Sequence, residues 1–306
     1  MLDFITHPVF LWIFFSLIGA GLILWIVTYI VASYLVYKKT LSRVSKDVWS
    51  RDIPSSLDEK SLNMYAIGKK WSEENIKYKK DVHIVSNGLN LYGEYYDFGK
   101  KTCAVILSGR TECLKYGYFF AIPYYNRCNI LVLDPRAHGN SDGTYNTIGF
   151  EESNDITNWV KYINAEYNID SFIFHGICIG AAGGILAITL RKCPYIKAIV
   201  TEGMFPRFYE SMKNNLIEKK KPVFIFIDLI NAWMKHYTSH SMKFGPLDVI
   251  DKLEVPLLML HSKEDKFSKP DFAVKLYEKA GSKIKHLEWF DHGAHSMIRI
   301  NNMENE

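Results

Sequence analysis

Phe172-Ile173-Phe174-His175-Gly176-Ile177-Cys178-Ile179-Gly180-Ala181-Ala182-Gly183-Gly184 is the stretch on which the reading of this chain turns. The apolar run reads as a strand, the glycines as a tight turn, and the small residues leading into Ile185-Leu186-Ala187-Ile188 as a helix. Gly176-x-Cys178-x-Gly180 has the spacing of a nucleophile elbow, with cysteine where serine is usual. In such a turn the residues two positions either side must lack side chains, so that strand and helix can pass closely. The helix N-terminus then aims backbone N–H groups and a positive dipole end at a developing oxyanion, and the same dipole lowers a thiol pKa. By itself the string fits a glycine-rich packing turn around an inert buried cysteine equally well.

A base and an acid follow at suitable places. Val255-Pro256-Leu257-Leu258-Met259-Leu260 reads as a buried parallel strand, ending in His261-Ser262-Lys263-Glu264-Asp265. An acid just past a strand's C-terminal end lies on the edge where open α/β sheets carry their sites. A helix is predicted over about Pro270 to Ala280. His286 to Phe290 reads as a last strand, followed by Asp291-His292-Gly293-Ala294-His295-Ser296. Asp265 has a local rival in Glu264 and a distant one in Glu202; His295 has a rival in His292. His138 and His261 read as structural, His261 as support for the acid loop, and Asp142 as a turn residue.

Two upstream strings agree. Thr102 to Leu107 reads as a strand leading to Ser108-Gly109-Arg110, and Asn129 to Leu133 as another leading to Asp134-Pro135-Arg136-Ala137-His138-Gly139-Asn140-Ser141-Asp142-Gly143. Together with the opening Ser86-Asn87-Gly88-Leu89-Asn90-Leu91, the chain from Val82 to Met297 resembles the α/β-hydrolase superfamily. Its layout is nearest to bacterial members with an N-terminal membrane anchor. The resemblance implies an α/β fold, a mostly parallel central sheet flanked by helices, with a small cap insertion. It also implies the chain order nucleophile, acid, histidine, carried here by Cys178, Asp265 and His295, with Gly293-Ala294-His295 matching the family's Gly-x-His placement. The oxyanion hole would come from the backbone N–H groups of Arg110 and Ile179. Two positions depart from the pattern: Cys178 replaces the elbow serine, and Ser108-Gly109 replaces the usual His-Gly. A few branches of the superfamily use cysteine, among them dienelactone hydrolases and bile-acid-CoA N-acyltransferases.

At 306 residues and net charge +4, the chain has room for one such domain and no basic, aromatic-interleaved stripe to suggest nucleic acid. Its cysteines and histidines lack ligand spacing for a metal, and no phosphate loop or dinucleotide fingerprint is present, so no cofactor is expected. Val9 to Tyr37 is 29 residues without a charge, long enough to span a bilayer with some tilt. A secretory signal would want a basic start and a shorter apolar core, and only Asp3 is charged before it. Lys38, Lys39, Arg43 and Lys46 follow the span and none precedes it, which favours a single-pass protein with its domain in the cytoplasm. Five cysteines with no disulfide framework fit that side. The opposite topology stays open at this stage.

The expected organisation is residues 1–37 with the transmembrane helix at about 9–37, a juxtamembrane connector over 38–80, and the hydrolase domain over 81–306, with its cap at about 203–251. Ser55 to Glu59 suits the start of a helix running toward Trp71, whose apolar face would meet either headgroups or the domain. The apolar run Pro222 to Met234 would line an acyl pocket, dip into the membrane, or pack on the core. The expected function is cleavage or transfer of an acyl group from an ester, thioester or amide, through a thioester on Cys178. The partners would be an acyl-containing small molecule or lipid and the membrane. The alternative is a catalytically silent membrane protein of the same fold that binds a lipid or protein partner.

Overall fold

A computed structural model describes residues 8–43 and 59–302. Lys46 and the proposed helix start at Ser55 to Asp58 lie outside the described residues. The first helix, α1 (Pro8–Leu41), is followed by α2 (Glu59–Glu74). A hairpin of β1 (Lys79–Ser86) and β2 (Leu89–Tyr96) turns at Asn87-Gly88, both at positive φ. Then come β3 (Thr102–Leu107), α3 (Leu114–Ala121), β4 (Asn129–Leu133), α4 (Phe150–Tyr167), β5 (Ser171–Ile177), α5 (Ile179–Thr189) and β6 (Ile196–Glu202). The cap contributes α6 (Phe208–Glu218) and α7 (Phe226–Thr238). The chain closes with β7 (Leu257–Ser262), α8 (Pro270–Lys279) and β8 (Lys285–Phe290).

The strands form one eight-stranded sheet in the order β1-β2-β4-β3-β5-β6-β7-β8. β1 and β2 are antiparallel, β2 meets β4 antiparallel, and every later pairing is parallel. The central strands are apolar at consecutive positions because both of their faces are covered. Ala104, Ile106, Ile130 and Val132 point into one core cluster, with α2, α3 and the cap. Cys103, Val105, Leu131 and Leu133 point into the other, with Trp159 and Val160 of α4 and Leu276 of α8. Parallel pairing has a functional consequence: the chain leaves β3, β5, β6, β7 and β8 along one edge.

The turn after β4 is built around a buried carboxylate. Asp134 accepts N–H groups from Leu114 at 2.7 Å and Asn140 at 2.8 Å. A Cβ on Gly139 would fall 2.1 Å from that carboxylate, and so glycine is required there. Arg136 grips Asp155 of α4 through Nε at 2.6 Å and Nη2 at 2.7 Å. Asp142 accepts from Asn90 N–H at 3.1 Å, a turn role.

The apolar N-terminal helix is one continuous element whose two parts have different surroundings. Over its first part, large residues such as Trp12, Leu17, Leu24 and Trp25 are exposed, and the helix is long and apolar enough to cross a membrane. From about Tyr29 it becomes part of the domain. Ser33, Tyr37 and Leu41, one per turn on a single face, are buried. Trp233 of α7 donates its indole N–H to Ser33 Oγ at 3.0 Å, and Tyr34 packs edge-on against the same indole. Tyr37 stacks on Tyr237 with ring centroids 5.5 Å apart. Arg43, just beyond, donates to the carbonyls of Ser141 and Gly139 at 2.8 and 2.7 Å. The division expected at residue 37 therefore falls inside a packed segment, because the helix surface is buried by cap and turn residues distant in sequence. In α2, Met64, Tyr65 and Trp71 are buried, and the core cluster joins Met64 and Trp71 to Tyr118 and Phe119 of α3. That face of the connector is turned to protein.

Candidate active site

Cys178 sits between β5 and α5 with φ 53° and ψ −108°, a conformation a side-chain-bearing residue adopts only under strain. The flanking glycines allow it. A Cβ on Gly176 would lie 2.5 Å from Ala181 N, and one on Gly180 would lie 2.2 Å from the Leu107 carbonyl oxygen. Strand, helix and the neighbouring strand end thus converge at a spacing that only glycine permits.

Asp265 stands on the turn after β7. Its Oδ1 accepts N–H groups from Phe267 at 2.9 Å and Ser268 at 2.8 Å, which fixes the carboxylate. Ser268 is held in turn, its hydroxyl donating to Met204 O at 2.6 Å and its carbonyl lying 2.6 Å from His261 Nε2. Oδ2 of Asp265 accepts from His295 Nδ1 at 2.7 Å. Gly203, at φ 58° after β6, makes room for this pair: a Cβ there would meet the His295 ring at 3.2 Å and Asp265 Oδ2 at 3.4 Å.

Cys178 and His295 line one cavity of about 130 Å³, together with Arg110, Glu112, Phe267 and Ser296. Phe267 and His295 also line an adjoining cleft of about 660 Å³, whose cap side is Asn215 and Glu218 of α6. His295 Nε2 is buried on the side of the ring away from Asp265, and the Cys178 sulfur is close enough to act on the imidazole. Burial alone would lower the His295 pKa. The Cys178 sulfur and the Asp265 carboxylate outweigh it and hold the imidazole well above its ordinary range. The backbone N–H groups of Arg110 and Ile179 donate to no other described residue.

The rivals are engaged elsewhere. His292 is exposed and pairs with Glu264 at 3.4 Å, while Glu264 also accepts Gly293 N–H at 3.0 Å. Glu202 is buried against His175, 3.0 Å from its Nε2. His138 Nε2 accepts Thr111 N–H at 3.0 Å and its Nδ1 donates to Arg136 O at 2.8 Å, so it braces the loop that carries Arg110.

Two side chains in the cavity escaped the sequence reading. Glu112 is pushed up by burial, against the pull of Gly109 N–H, His295 and Arg110, and its Oε2 accepts Gly109 N–H at 3.0 Å. The Arg110 guanidinium is lowered by burial and raised by Cys178 and Glu112, and donates to the Thr40 carbonyl of α1 at 3.2 Å. The sequence points to the Arg110 backbone alone, because no local pattern tells which way a loop side chain turns. Among the described residues no cluster suited to a metal ion occurs.

Comparison with known proteins supports the fold. Residues 246–301, which carry Asp265 and His295 but not the elbow, match the family described as Serine aminopeptidase, S33. The uncharacterized protein YqkD of Bacillus subtilis (strain 168) is 28% identical over 178 residues, covering 57% of this chain and 58% of that protein. The chain thus matches little more than half the length of that relative. An esterase of Pyrococcus furiosus superposes with a TM-score of 0.61 at 20% identity, over 77% of this chain and 91% of the esterase. Naproxen esterase of Bacillus subtilis superposes with a TM-score of 0.54 at 14% identity, over 82% of this chain and 96% of that one. The fold is the α/β-hydrolase fold.

Proposed function

We propose that this α/β-hydrolase-fold chain is a membrane-anchored acyl hydrolase or acyltransferase that works through a thioester on Cys178. The observation that carries the reading is the shared cavity, lined by an elbow cysteine and by a histidine oriented by a buried aspartate. The Cys178 thiolate attacks the acyl carbonyl carbon, forming the C–S bond, and the carbonyl electron pair moves to oxygen. The N–H groups of Arg110 and Ile179 receive that oxyanion. Protonated His295 gives its Nε2 proton to the leaving group as the bond to it breaks, and Asp265 stabilises the imidazolium until then. Water or an amine next attacks the thioester, His295 takes its proton, and the thiolate leaves.

The structural neighbours are described as esterases, and the matching family as aminopeptidases. Ester and amide bonds are therefore the first substrates to test. The cavity beside Cys178 is small and carries Arg110 and Glu112, which favours a compact acyl part at the reacting carbonyl, with the rest of the substrate in the larger cleft. The exposed part of α1 anchors the protein in one pass, and the basic residues Lys38, Lys39 and Arg43 at its end favour a domain on the cytoplasmic side.

The test is to incubate the full chain in nanodiscs with aryl esters of graded acyl length, with and without amine acceptors, and to read intact mass. An acyl adduct confined to the Cys178 peptide is expected, and with it a faster turnover when amine is present if transfer dominates. Ester turnover that survives in Cys178→Ala would sink the assignment. The other cysteines are poor competitors, since burial pushes the thiols of Cys103, Cys113, Cys128 and Cys193 up, Cys113 to about 12.

A further inference from the structure

The loop that joins the cap helices α6 and α7 is apolar, basic and exposed. Lys219, Lys220 and Lys221 are exposed and run directly into Pro222-Val223-Phe224-Ile225. Phe224 is 83% exposed and Ile225 48%, beside Ile217 at 52% on the last turn of α6. Ile225 is held at φ 59° and Lys220 at φ 50°. A β-branched residue at positive φ is costly, and Ile225 is only about half buried within the protein.

The position of this loop along α1 is fixed by contacts. Tyr29 donates its hydroxyl to the Phe224 carbonyl at 2.6 Å and packs edge-on against Phe226, with Trp25 stacked on its other neighbouring side. From Pro8 to Tyr29 the helix rises about 32 Å at 1.5 Å per residue, close to the ~30 Å hydrocarbon thickness of a bilayer. Beyond Tyr29 one face of the helix, carrying Ser33, Tyr37 and Leu41, is buried against protein, while Ile30, Val31 and Leu35 stay exposed on the rest of its surface. Tyr29 and Trp25 therefore fall where aromatic side chains collect at a membrane surface, and the Phe224 loop falls at the same depth.

We infer that the loop Lys219–Ile225 is a second membrane contact: Phe224 and Ile225 enter the acyl-chain boundary while Lys219, Lys220 and Lys221 meet anionic lipid headgroups. This rests on α1 spanning the bilayer. The charge is of the right sign and the apolar residues are of the right type for such an interface. The contact is continuous with the anchor through the Tyr29–Phe224 hydrogen bond. It has a consequence for the site, because Asn215 and Glu218 on the rim of the large cleft lie within a few residues of the loop. The mouth of the cleft is then held at the bilayer surface, where amphiphilic acyl substrates concentrate.

The test is depth measurement on the full chain in nanodiscs, with single nitroxide labels in a Cys178→Ser background. Labels go at Ile225→Cys, at Leu22→Cys in the span, and at Ile284→Cys, which is 71% exposed and remote from the cap. Accessibility to oxygen relative to a water-soluble nickel chelate is expected to be several-fold higher at positions 22 and 225 than at 284. Label 225 should sit deeper with phosphatidylglycerol present than in phosphatidylcholine alone, and the K219Q/K220Q/K221Q variant should lose that difference. A nickel-accessible label at 225 with a lipid-embedded label at 22 overturns the loop contact and leaves the anchor standing. A nickel-accessible label at 22 removes the anchor and the loop contact together. No response of label 225 to phosphatidylglycerol overturns the headgroup role of the lysines.

Discussion

Arg110 donates from its guanidinium to the main-chain carbonyl of Thr40 at 3.2 Å. One partner belongs to the loop whose backbone faces Cys178, and the other to the last turn of the helix that begins at Pro8. The N-terminal helix is thus bonded to the wall of the cavity that Cys178 and His295 line. Its end is equally tied to the turn after β4, where Arg43 N–H donates to Thr144 O at 2.7 Å.

Truncation should reveal where along the N-terminal helix the folded domain begins. Removing residues 1–28 leaves Ser33, Tyr37 and Leu41 in place, and the melting temperature in detergent should stay close to that of the full chain. Removing residues 1–37 strips a fully buried tyrosine from the core. Losing a buried aromatic costs about 3–5 kcal/mol, so this shorter chain should melt far lower or fail to fold. Equal melting of the two would place the boundary after residue 37.

At the proposed nucleophile, Cys178→Ala should give no acyl adduct and a fall in turnover of roughly 10⁴-fold or more. Cys178→Ser separates two versions of the site. A thiolate–imidazolium pair should work poorly with serine, whose hydroxyl does not ionise beside histidine. Turnover kept or raised in Cys178→Ser would instead mean that the elbow operates as a serine-type site, and steady-state kinetics with one ester suffices to tell.

Asp265→Asn should lower turnover by roughly 10³–10⁴-fold with KM little changed. An asparagine amide cannot accept the Nδ1 proton on the same terms as Oδ2 does at 2.7 Å, so the imidazole loses its orientation and its charge partner. A loss below tenfold would show that another acid, with Glu112 in the same cavity the first to examine, supports His295.

Gly203→Ala places a Cβ at φ 58°, 3.2 Å from the His295 ring. We expect about 1–2 kcal/mol of destabilisation from the backbone. Displacement of the histidine should add at least a tenfold loss of turnover. Unchanged kinetics would mean the ring has more freedom than this packing allows.

His138 gives a pH dependence with a definite sign. Burial holds it at about 4, against an ordinary 6.5, helped by Arg110 and Arg43 and opposed by its bond to Arg136 O. Between those values the unfolded chain binds the proton and the folded chain does not. Stability from this group is therefore present above pH 6.5 and lost progressively as pH falls toward 4, by about 3 kcal/mol at full effect. His138→Gln keeps an acceptor for Thr111 N–H and removes the titration. Denaturant midpoints at pH 7 and pH 4.5 should converge in this variant relative to the native chain. An unchanged gap would move the acid sensitivity to other groups.

Much of this protein was determined by local sequence. Gly176 and Gly180 mark the elbow because a sharp strand-to-helix turn forbids side chains there, whatever surrounds it. The strands β3 and β4 are readable from their apolar runs, and the order Cys178, Asp265, His295 follows from the parallel sheet, which returns each loop to one edge. Tertiary structure decided what depends on neighbours far apart in the chain. Only the packing of Ser33 and Tyr37 against Trp233 and Tyr237 of the cap, with Leu41 buried on the same face, shows that the C-terminal part of an apolar helix is domain core, since lipid and protein interior select the same residues. Only the folded loop shows the Arg110 guanidinium and the Glu112 carboxylate beside Cys178, because a loop side chain's direction is set by contacts that no periodicity records.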